Sequence, residues 1–448
     1  MSVVPEQLSS PSRHPLANGG LQRLLAVGAD RSIDLQTFFA HVRGVAALLP
    51  AGQHAVNLCD DRYRFLVAFC AVALRGQVNL LPSSRAHAVV ADVQQRYPQT
   101  YCLADDAQQP LPPGSFVLPM ELPRLDGVLP QLADTQLVAI GFTSGSTGAP
   151  SANSKTWGSF LTSTAQNLQA LQDLWGEAQP ALVATVPSQH MYGMEMAVLL
   201  PLLAPATLQA GRPFFPQDVV LALQQVQEPR VLITTPVHLK ALVESGVGLP
   251  PLAGIVTATA PLSQELAAAA EQAFSTEVRE MFGSTETCIF ARRRTASETA
   301  WSLLPGVSLE PQPDGTRVHA AHLPAPVNLA DLVELLPGDR FVLRGRRADL
   351  LEIAGKRASL GDLTRKLQAV PGVVDAVVVQ LAAEPGHAVG RIAALVVAPG
   401  REEADILRDL REFMDPVFLP RPLRKVAVLP RNDTGKLPRD AVLALLGH

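Results

Sequence analysis

Short apolar runs, several stopped by proline and each followed by a longer amphipathic or buried stretch, recur along the first two thirds of this chain. His54–Leu58, Val78–Leu81, Leu137–Ile140, Leu182–Val186, Val231–Thr234, Gly254–Thr257 and Glu277–Met281 read as strands. Arg62–Leu74, Thr156–Leu174, Val237–Glu244 and Ser263–Phe274 read as helices between them. Strand–helix–strand alternation on this scale predicts a largely parallel sheet covered on both faces. The expected fold class is therefore α/β, with a large N-terminal domain of mostly parallel sheets flanked by helices. In such folds ligands collect at the carboxyl ends of the strands. Composition shifts near Leu335-Leu336-Pro337-Gly338. A smaller α+β domain of roughly 110 residues is expected beyond it, within the usual domain range. It reads as a hairpin-like start at Phe341–Ile353, a helix at Leu360–Gln368, strands at Val373–Gln380 and Ile392–Val397, a helix at Glu402–Met414 and a strand at Lys425–Leu429. The expected division is a loose N-terminus at 1–20, a large domain at 21–345 and a small domain at 346–448. Residues 104–130, rich in Pro and Asp, read as a surface connection.

Composition narrows the functional classes. The chain has 448 residues, 47% of them hydrophobic and 17% charged, enough for two or three domains or subdomains with sizeable cores. A net charge of −4 supplies no electrostatic footprint for nucleic acid or an anionic membrane. Cys59, Cys70, Cys102 and Cys288 show no paired spacing, which argues against zinc or a disulfide framework and for a reducing cytoplasm. Met1–Leu16 lacks the basic and apolar regions of a signal peptide, and the longest apolar runs are too short or proline-broken to span a bilayer. A soluble, cytoplasmic protein is expected.

Directly after the apolar run Leu137–Ile140 comes Phe142-Thr143-Ser144-Gly145-Ser146-Thr147-Gly148. Glycines let successive backbone N–H groups turn toward one point, and Ser/Thr hydroxyls add donors without bulk. Phosphate oxygens suit such a cradle; a solvated Ser/Gly linker has the same composition. Several other templates are missing. Gly355-Lys356 is followed by Arg357 and Gly435-Lys436 by Leu437, so there is no P-loop, and neither a G-x-S-x-G elbow nor H-E-x-x-H occurs. His319 and His322 lack partners at metal-ligand spacing and read as structural or exposed.

An ordered set of motifs remains: the T-S-G-S-T-G loop; Pro187-Ser188-Gln189-His190-Met191-Tyr192-Gly193; Phe282-Gly283-Ser284-Thr285-Glu286-Thr287; Asp331 ahead of Gly345-Arg346; Gly355-Lys356-Arg357; and Thr434-Gly435-Lys436-Leu437-Pro438-Arg439. In this order the set resembles the adenylate-forming superfamily of acyl- and aryl-CoA synthetases, peptide-synthetase adenylation domains and luciferases, over about residues 20–445. The resemblance implies ATP-dependent activation of a carboxylic acid, aryl or medium-chain acyl, as an acyl-adenylate. Transfer to a thiol follows, either of CoA or of carrier-protein phosphopantetheine. It also implies a mobile C-terminal domain that rotates near Arg347–Asp349.

The resemblance carries roles to individual positions. Thr143, Ser144, Gly145, Ser146, Thr147 and Gly148 hold the β- and γ-phosphates. Glu286 helps hold Mg²⁺, Thr285 bonds the α-phosphate or the carboxylate, and Phe282 lies against adenine after the Gly283 turn. Asp331 accepts from the ribose hydroxyls, with a turn cap as the bland alternative, and Arg346 reaches the ribose or a phosphate. Lys436 bridges carboxylate and α-phosphate during adenylation. His190 closes the acyl pocket and gates the thiol, with a buried core histidine as the competing reading; Gly355 lines the pantetheine tunnel. The pocket wall is expected from His190–Met194, Thr235–Val237 and Ala258–Ala260.

The chain departs from the pattern in places. The family loop usually ends G-x-P-K; here Pro150 precedes Ser151, and Lys155 is the nearest lysine able to substitute as a phosphate contact. Ala348 stands at the usual hinge Asp or Lys, and Asp362 at a usual Glu. The expected function is an AMP-forming acid–thiol ligase. Its alternatives are a ligase serving only a carrier protein and a degenerate member that binds ATP or acyl ligand without turnover.

Overall fold

The computed structural model describes residues 11–28, 31–106, 111–143, 151–346, 349–353, 356–381, 391–432 and 435–447. The chain divides into two compact units, Met1–Val307 with His319–Val327, and Ser308–Val318 with Asn328–His448.

Two large sheets dominate the first unit. One runs, in spatial order, Ser151–Thr156, Leu137–Thr143, Val78–Leu81, His54–Asn57, Thr100–Ala104 and Ser115–Val117. All neighbours are parallel except Ser151–Thr156, which pairs antiparallel with Leu137–Thr143. Helices Arg62–Leu74 and His87–Arg96 make the crossovers. Arg62–Leu74 is buried from Arg62 to Ala73, the expected fate of a helix apolar on every side. Its N-cap Asp61 accepts from the Arg64 amide at 2.8 Å, satisfying a donor the helix itself cannot.

The second sheet contributes to this unit, in order, Trp301–Leu303, Cys288–Arg293, Val278–Ser284, Gly254–Thr257, Arg230–Thr234, Ala181–Ala184, Thr207–Gln209, Leu24–Val27 and Ser32–Asp34. Pairing is parallel from Val278–Ser284 through Leu24–Val27 and antiparallel beyond either end. The α/β, mostly parallel expectation holds. One large core packs Phe38, Tyr63, Phe65, Phe69, Trp157 and Phe160, and another joins Val183, Leu232, Ile255 and Val278. Each such side chain contributes about 1.5–3 kcal/mol on full burial.

The second unit contains the antiparallel pair Asp331–Leu336 with Arg340–Arg346, and the pair Leu350–Ile353 with Lys356–Ser359. A further sheet holds Asp375–Gln380, Ile392–Val397 and Leu423–Lys425, with helices Leu360–Gln368, Glu403–Phe413 and Arg439–Leu446. Ser359 caps Leu360–Gln368 through the Asp362 amide at 3.1 Å.

Three expectations change. Residues 11–20 are not loose: Arg13–Pro15 pairs with Gln131–Ala133, and Leu16 is fully buried. The final strand sits at Leu423–Lys425 rather than Lys425–Leu429: Leu423–Lys425 pairs parallel with Ile392–Val397, while Leu429 is buried in a core cluster outside any strand and Val428 is 74% exposed. Within 104–130, Ser115–Val117 adds an edge strand beside Thr100–Ala104.

Candidate active site

In the first unit, strand Val278–Ser284 delivers the turn carrying Phe282, Gly283, Ser284, Thr285 and Glu286. Its register with Cys288–Arg293 shifts between Phe282 and Gly283. The turn is laced by hydroxyls. The Ser284 amide donates to Thr287 Oγ1 at 3.1 Å, the Thr287 amide to Ser284 Oγ at 3.2 Å, and Thr287 Oγ1 to the Cys288 carbonyl at 2.9 Å. Thr285 and Glu286 stay half-buried at its tip. Phe282 is also half-buried; its ring meets Phe290 at 5.0 Å and Trp301 at 5.1 Å between centroids. Burial is shared across an aromatic cluster, which fixes the ring plane.

Polar side chains support this turn from within the fold. Lys155 is 3% exposed, and its Nζ donates to the Glu286 carbonyl at 2.9 Å. The position expected to reach phosphate is therefore turned into the protein interior and engaged with main chain. His322 Nε2 lies 2.7 Å from the Thr287 carbonyl, to which it donates. Burial lowers its pKa, opposed by that bond. Glu195, 1% exposed, accepts from the Ile289 amide at 3.1 Å and from Asn167 Nδ2 at 3.2 Å. Burial pushes its pKa up to about 7, against the pull of Ile289, Asn167 and Lys155. The Cys288 thiol is pushed up to about 12, by burial first and Glu195 second.

Two glycines explain how the motifs meet. A Cβ on Gly193 would lie 2.0 Å from the Pro187 carbonyl oxygen, so the segment Pro187–Gly193 closes only with glycine at its end. His190 is the N-cap residue of the short helix Met191–Met194. A Cβ on Gly141 would lie 2.6 Å from Thr285 Cγ2 and 3.1 Å from Met191 Cε. Strand Leu137–Thr143, which feeds the hydroxyl-rich loop, thus approaches both the Thr285 turn and the His190 segment. Gly141→Ala is expected to displace Thr285 and slow turnover by roughly 10–100-fold, as misplacement of a reacting group does. Steady-state kinetics beside a melting curve check this; full activity in the folded variant refutes it.

Arg62 supplies further support. Fully buried, it donates to the Ala184 and Val186 carbonyls at 2.9 Å each and to Ser188 Oγ at 3.1 Å, just ahead of His190. Burial lowers its pKa to about 9. Tyr192 OH donates to the Val256 carbonyl at 2.8 Å, tying the His190 segment to the strand that leads into Ala258–Ala260. There Thr259 takes φ +85°, a strained conformation for a β-branched residue. Thr143 Oγ1 and Ser151 Oγ lie 2.6 Å apart, pairing the two residues that flank 144–150. Ser144, Gly145, Ser146, Thr147 and Gly148 lie outside the described residues, as do Gly355 and, in the expected hinge, Arg347 and Ala348.

In the second unit Asp331 and Arg346 are register partners. Arg346 Nε donates to one Asp331 oxygen at 3.1 Å and Nη2 to the other at 3.4 Å, a bidentate pair that orients the carboxylate. Burial raises the pKa of nearby Asp349, with Arg346 opposing. Lys436 is exposed, on a turn where the Asn432 amide donates to its carbonyl and its own amide to Asn432 Oδ1, both at 2.9 Å.

Among the described residues no group of three His, Cys, Asp or Glu side chains could hold a metal by itself. Mg²⁺ fits this donor set, because it commonly binds through one or two carboxylates plus substrate phosphates. The half-buried Glu286 offers one such carboxylate. Sequence reasoning missed Gly141, Arg62, Glu195 and the support role of His322. A glycine inside an apolar strand signals a close approach. Glu195 is the only Asp, Glu, Lys or Arg between Glu177 and Arg212, and a lone charge in an apolar run signals a buried, partnered group.

Comparison with known proteins identifies the family and the fold. Residues 44–319 match the AMP-binding enzyme family. The chain is similar to a 4-coumarate–CoA ligase of Rhodobacter capsulatus, 30% identical over 302 residues, covering 66% of this chain and 74% of the relative. A shorter stretch of 119 residues is 35% identical to enterobactin synthase component F of Escherichia coli, covering 25% of this chain and 9% of that protein. Its fold is similar to that of the o-succinylbenzoate coenzyme A synthetase of Bacillus subtilis solved with ATP and magnesium. The TM-score is 0.80 at 16% identity, covering 96% of this chain and all of that one. With the family match spanning more than half of its length, the chain belongs to the family of AMP-binding enzymes.

Proposed function

We propose that the protein is an AMP-forming acid–thiol ligase of the acyl- or aryl-CoA synthetase type. The observation that carries this reading is the meeting of Gly141 with Thr285 and Met191. It draws the strand before the phosphate loop, the Thr-Glu turn and the His190 segment to one place, as attack of a carboxylate on a nucleotide requires.

In the first step a carboxylate oxygen bonds the α-phosphorus of ATP and the bond to the β-phosphate oxygen breaks, giving acyl-adenylate and pyrophosphate. The loop at 143–148 holds the β- and γ-phosphates, Thr285 donates to the α-phosphate or carboxylate, and Phe282 flanks adenine. Asp331, oriented by Arg346, accepts from the ribose. Mg²⁺, when bound at Glu286, neutralises charge on the phosphate oxygens. Lys436 bridges carboxylate and α-phosphate as charge builds.

In the second step a thiol attacks the acyl carbon, the thiol proton is lost, and AMP leaves. The part from residue 346 onward, carrying Lys436, turns about the segment near Arg347–Asp349 between the steps, and Gly355 then lines the thiol's path. His190 closes the acyl pocket until that turn. The thiol is that of CoA or of a carrier protein's phosphopantetheine arm; the stretch similar to enterobactin synthase component F favours keeping the second. An aryl acid or a medium-length acyl chain fits a wall that includes Ala258, Ala260 and adaptable methionines. Among the described residues no helix is long and apolar enough to cross a membrane. Four buried, free thiols suit a reducing compartment, the cytoplasm.

The test is pyrophosphate release by purified protein with Mg²⁺, ATP and a panel of benzoates, cinnamates and fatty acids, with and without CoA. Release with one acid class and formation of its CoA thioester are expected. Release without any CoA thioester, with loading of a carrier protein, identifies the carrier as sole acceptor. Silence across the panel in protein that binds ATP refutes the ligase reading.

A further inference from the structure

We propose that Lys155, Glu195 and His322 form a buried polar clamp that sets the backbone at 286–289, making Lys155 a positioning residue for the Glu286 carboxylate. The proposal rests on Glu286 serving Mg·ATP, as argued above.

Three side chains from separate parts of the first unit converge on four consecutive residues. Lys155, from the edge strand Ser151–Thr156, donates to the Glu286 carbonyl at 2.9 Å. His322 donates to the Thr287 carbonyl at 2.7 Å. Glu195, first residue of the π-helical turn Glu195–Leu199, presents both carboxylate oxygens to the Ile289 amide at 3.1 Å. The Lys155 ammonium thus sits on a carbonyl at one end of the segment and the Glu195 carboxyl group on an amide at the other. Charge-assisted bonds of this kind are roughly twice as strong as neutral ones, and all three side chains are at most 4% exposed.

The segment between them needs holding. Cys288 takes φ +57°, a left-handed conformation that a residue with a Cβ rarely adopts unless its surroundings impose it. The carbonyl of Glu286 and the amide of Ile289 flank that residue, so the clamp grips the backbone on both sides of the disfavoured angle.

The pattern differs from a pair kept only to neutralise buried charge. Lys155 and Glu195 each bond the main chain of the turn rather than one another. Lys155 is also the only Asp, Glu, Lys or Arg between Asp134 and Asp173. Each of these runs retains a single charge, and both charges meet behind Glu286. A lysine displaced from the family's usual place at Ser151 therefore acts on the nucleotide site indirectly, by fixing the chain that bears Glu286.

The test compares full-length wild type, K155M and the charge-neutral double variant K155M/E195Q. The readouts are melting temperature, amide exchange over residues 284–291, and pyrophosphate release titrated separately in Mg·ATP and in carboxylate. K155M alone leaves Glu195 buried without its cation and is expected to melt earlier; the double variant removes that penalty and recovers most of the melting temperature. In the double variant, amides of 284–291 exchange faster, the KM for Mg·ATP rises roughly tenfold and kcat falls roughly tenfold, in the range seen when a partner behind a metal ligand is lost. The KM for carboxylate stays within about twofold, well below that range. Unchanged exchange, or wild-type kinetics in Mg·ATP for the folded double variant, overturns the clamp. If the wild type turns over no acid, the ligase reading fails, and amide exchange alone then decides the clamp.

Discussion

Replacing Lys436 with alanine lowers carboxylate-dependent pyrophosphate release by on the order of 10²–10³-fold, the usual cost of removing a group that stabilises transition-state charge. The melting temperature stays near that of the wild type. The second expectation comes from how the turn is built. Lys436 is exposed, and its turn is held through main chain and through Asn432. Arg431 adds a bond to the Gly435 carbonyl at 2.8 Å and an ion pair to Asp375 at 2.9 Å. These bonds are made by main chain and by the side chains of Asn432 and Arg431, so alanine keeps them and deletes the charge. The two half-reactions separate the role further. When acyl-adenylate is supplied ready-made, thioester formation by Lys436→Ala should run within a fewfold of wild type, because the lysine serves the first step. Equal loss in both halves would point to a folding defect, and unchanged pyrophosphate release would remove Lys436 from the mechanism.

Glu286→Gln is expected to cost about 10²-fold in adenylation, since metal-assisted charge stabilisation is worth several kcal/mol. It should also raise the Mg²⁺ concentration needed for half-maximal rate. Glutamine keeps the size of the side chain and removes only its charge. The turn itself should survive, because it is tied by Ser284, Thr287 and Cys288 and by Lys155 to the Glu286 main-chain carbonyl. Rate measured against Mg²⁺ at saturating ATP reads this directly. A variant with lower turnover but unchanged Mg²⁺ dependence would show that Glu286 serves orientation and not the metal.

Much of this protein was legible in linear order, for identifiable reasons. Helix Arg62–Leu74, strands Val78–Leu81, Gly254–Thr257 and Ile392–Val397 and helix Leu360–Gln368 all fall where the pattern places them. Their ends carry chemical stops or caps: Asp61 before Arg62, Pro82 after Leu81, Ser359 before Leu360. The antiparallel strands Ser151–Thr156 and Cys288–Arg293 were not legible, because polar residues and short turns carry little periodicity. The strand at Leu423–Lys425 shifted because strand pairing with Ile392–Val397, which the apolar look of a run does not reveal, falls on those residues.

The sequence by itself determined the α/β class, the mostly parallel sheets and the order of the family's motifs, since each rests on local pattern or on contiguous residues. Only the tertiary structure decided that Gly141 touches Thr285, that Arg62 carries the segment before His190, and that Lys155, Glu195 and His322 converge behind Glu286. Those contacts join residues far apart in the chain, and the partner of a lone buried charge depends on which strands lie side by side. A sequence can mark such a charge as needing a partner; only the packed sheets determine where that partner is.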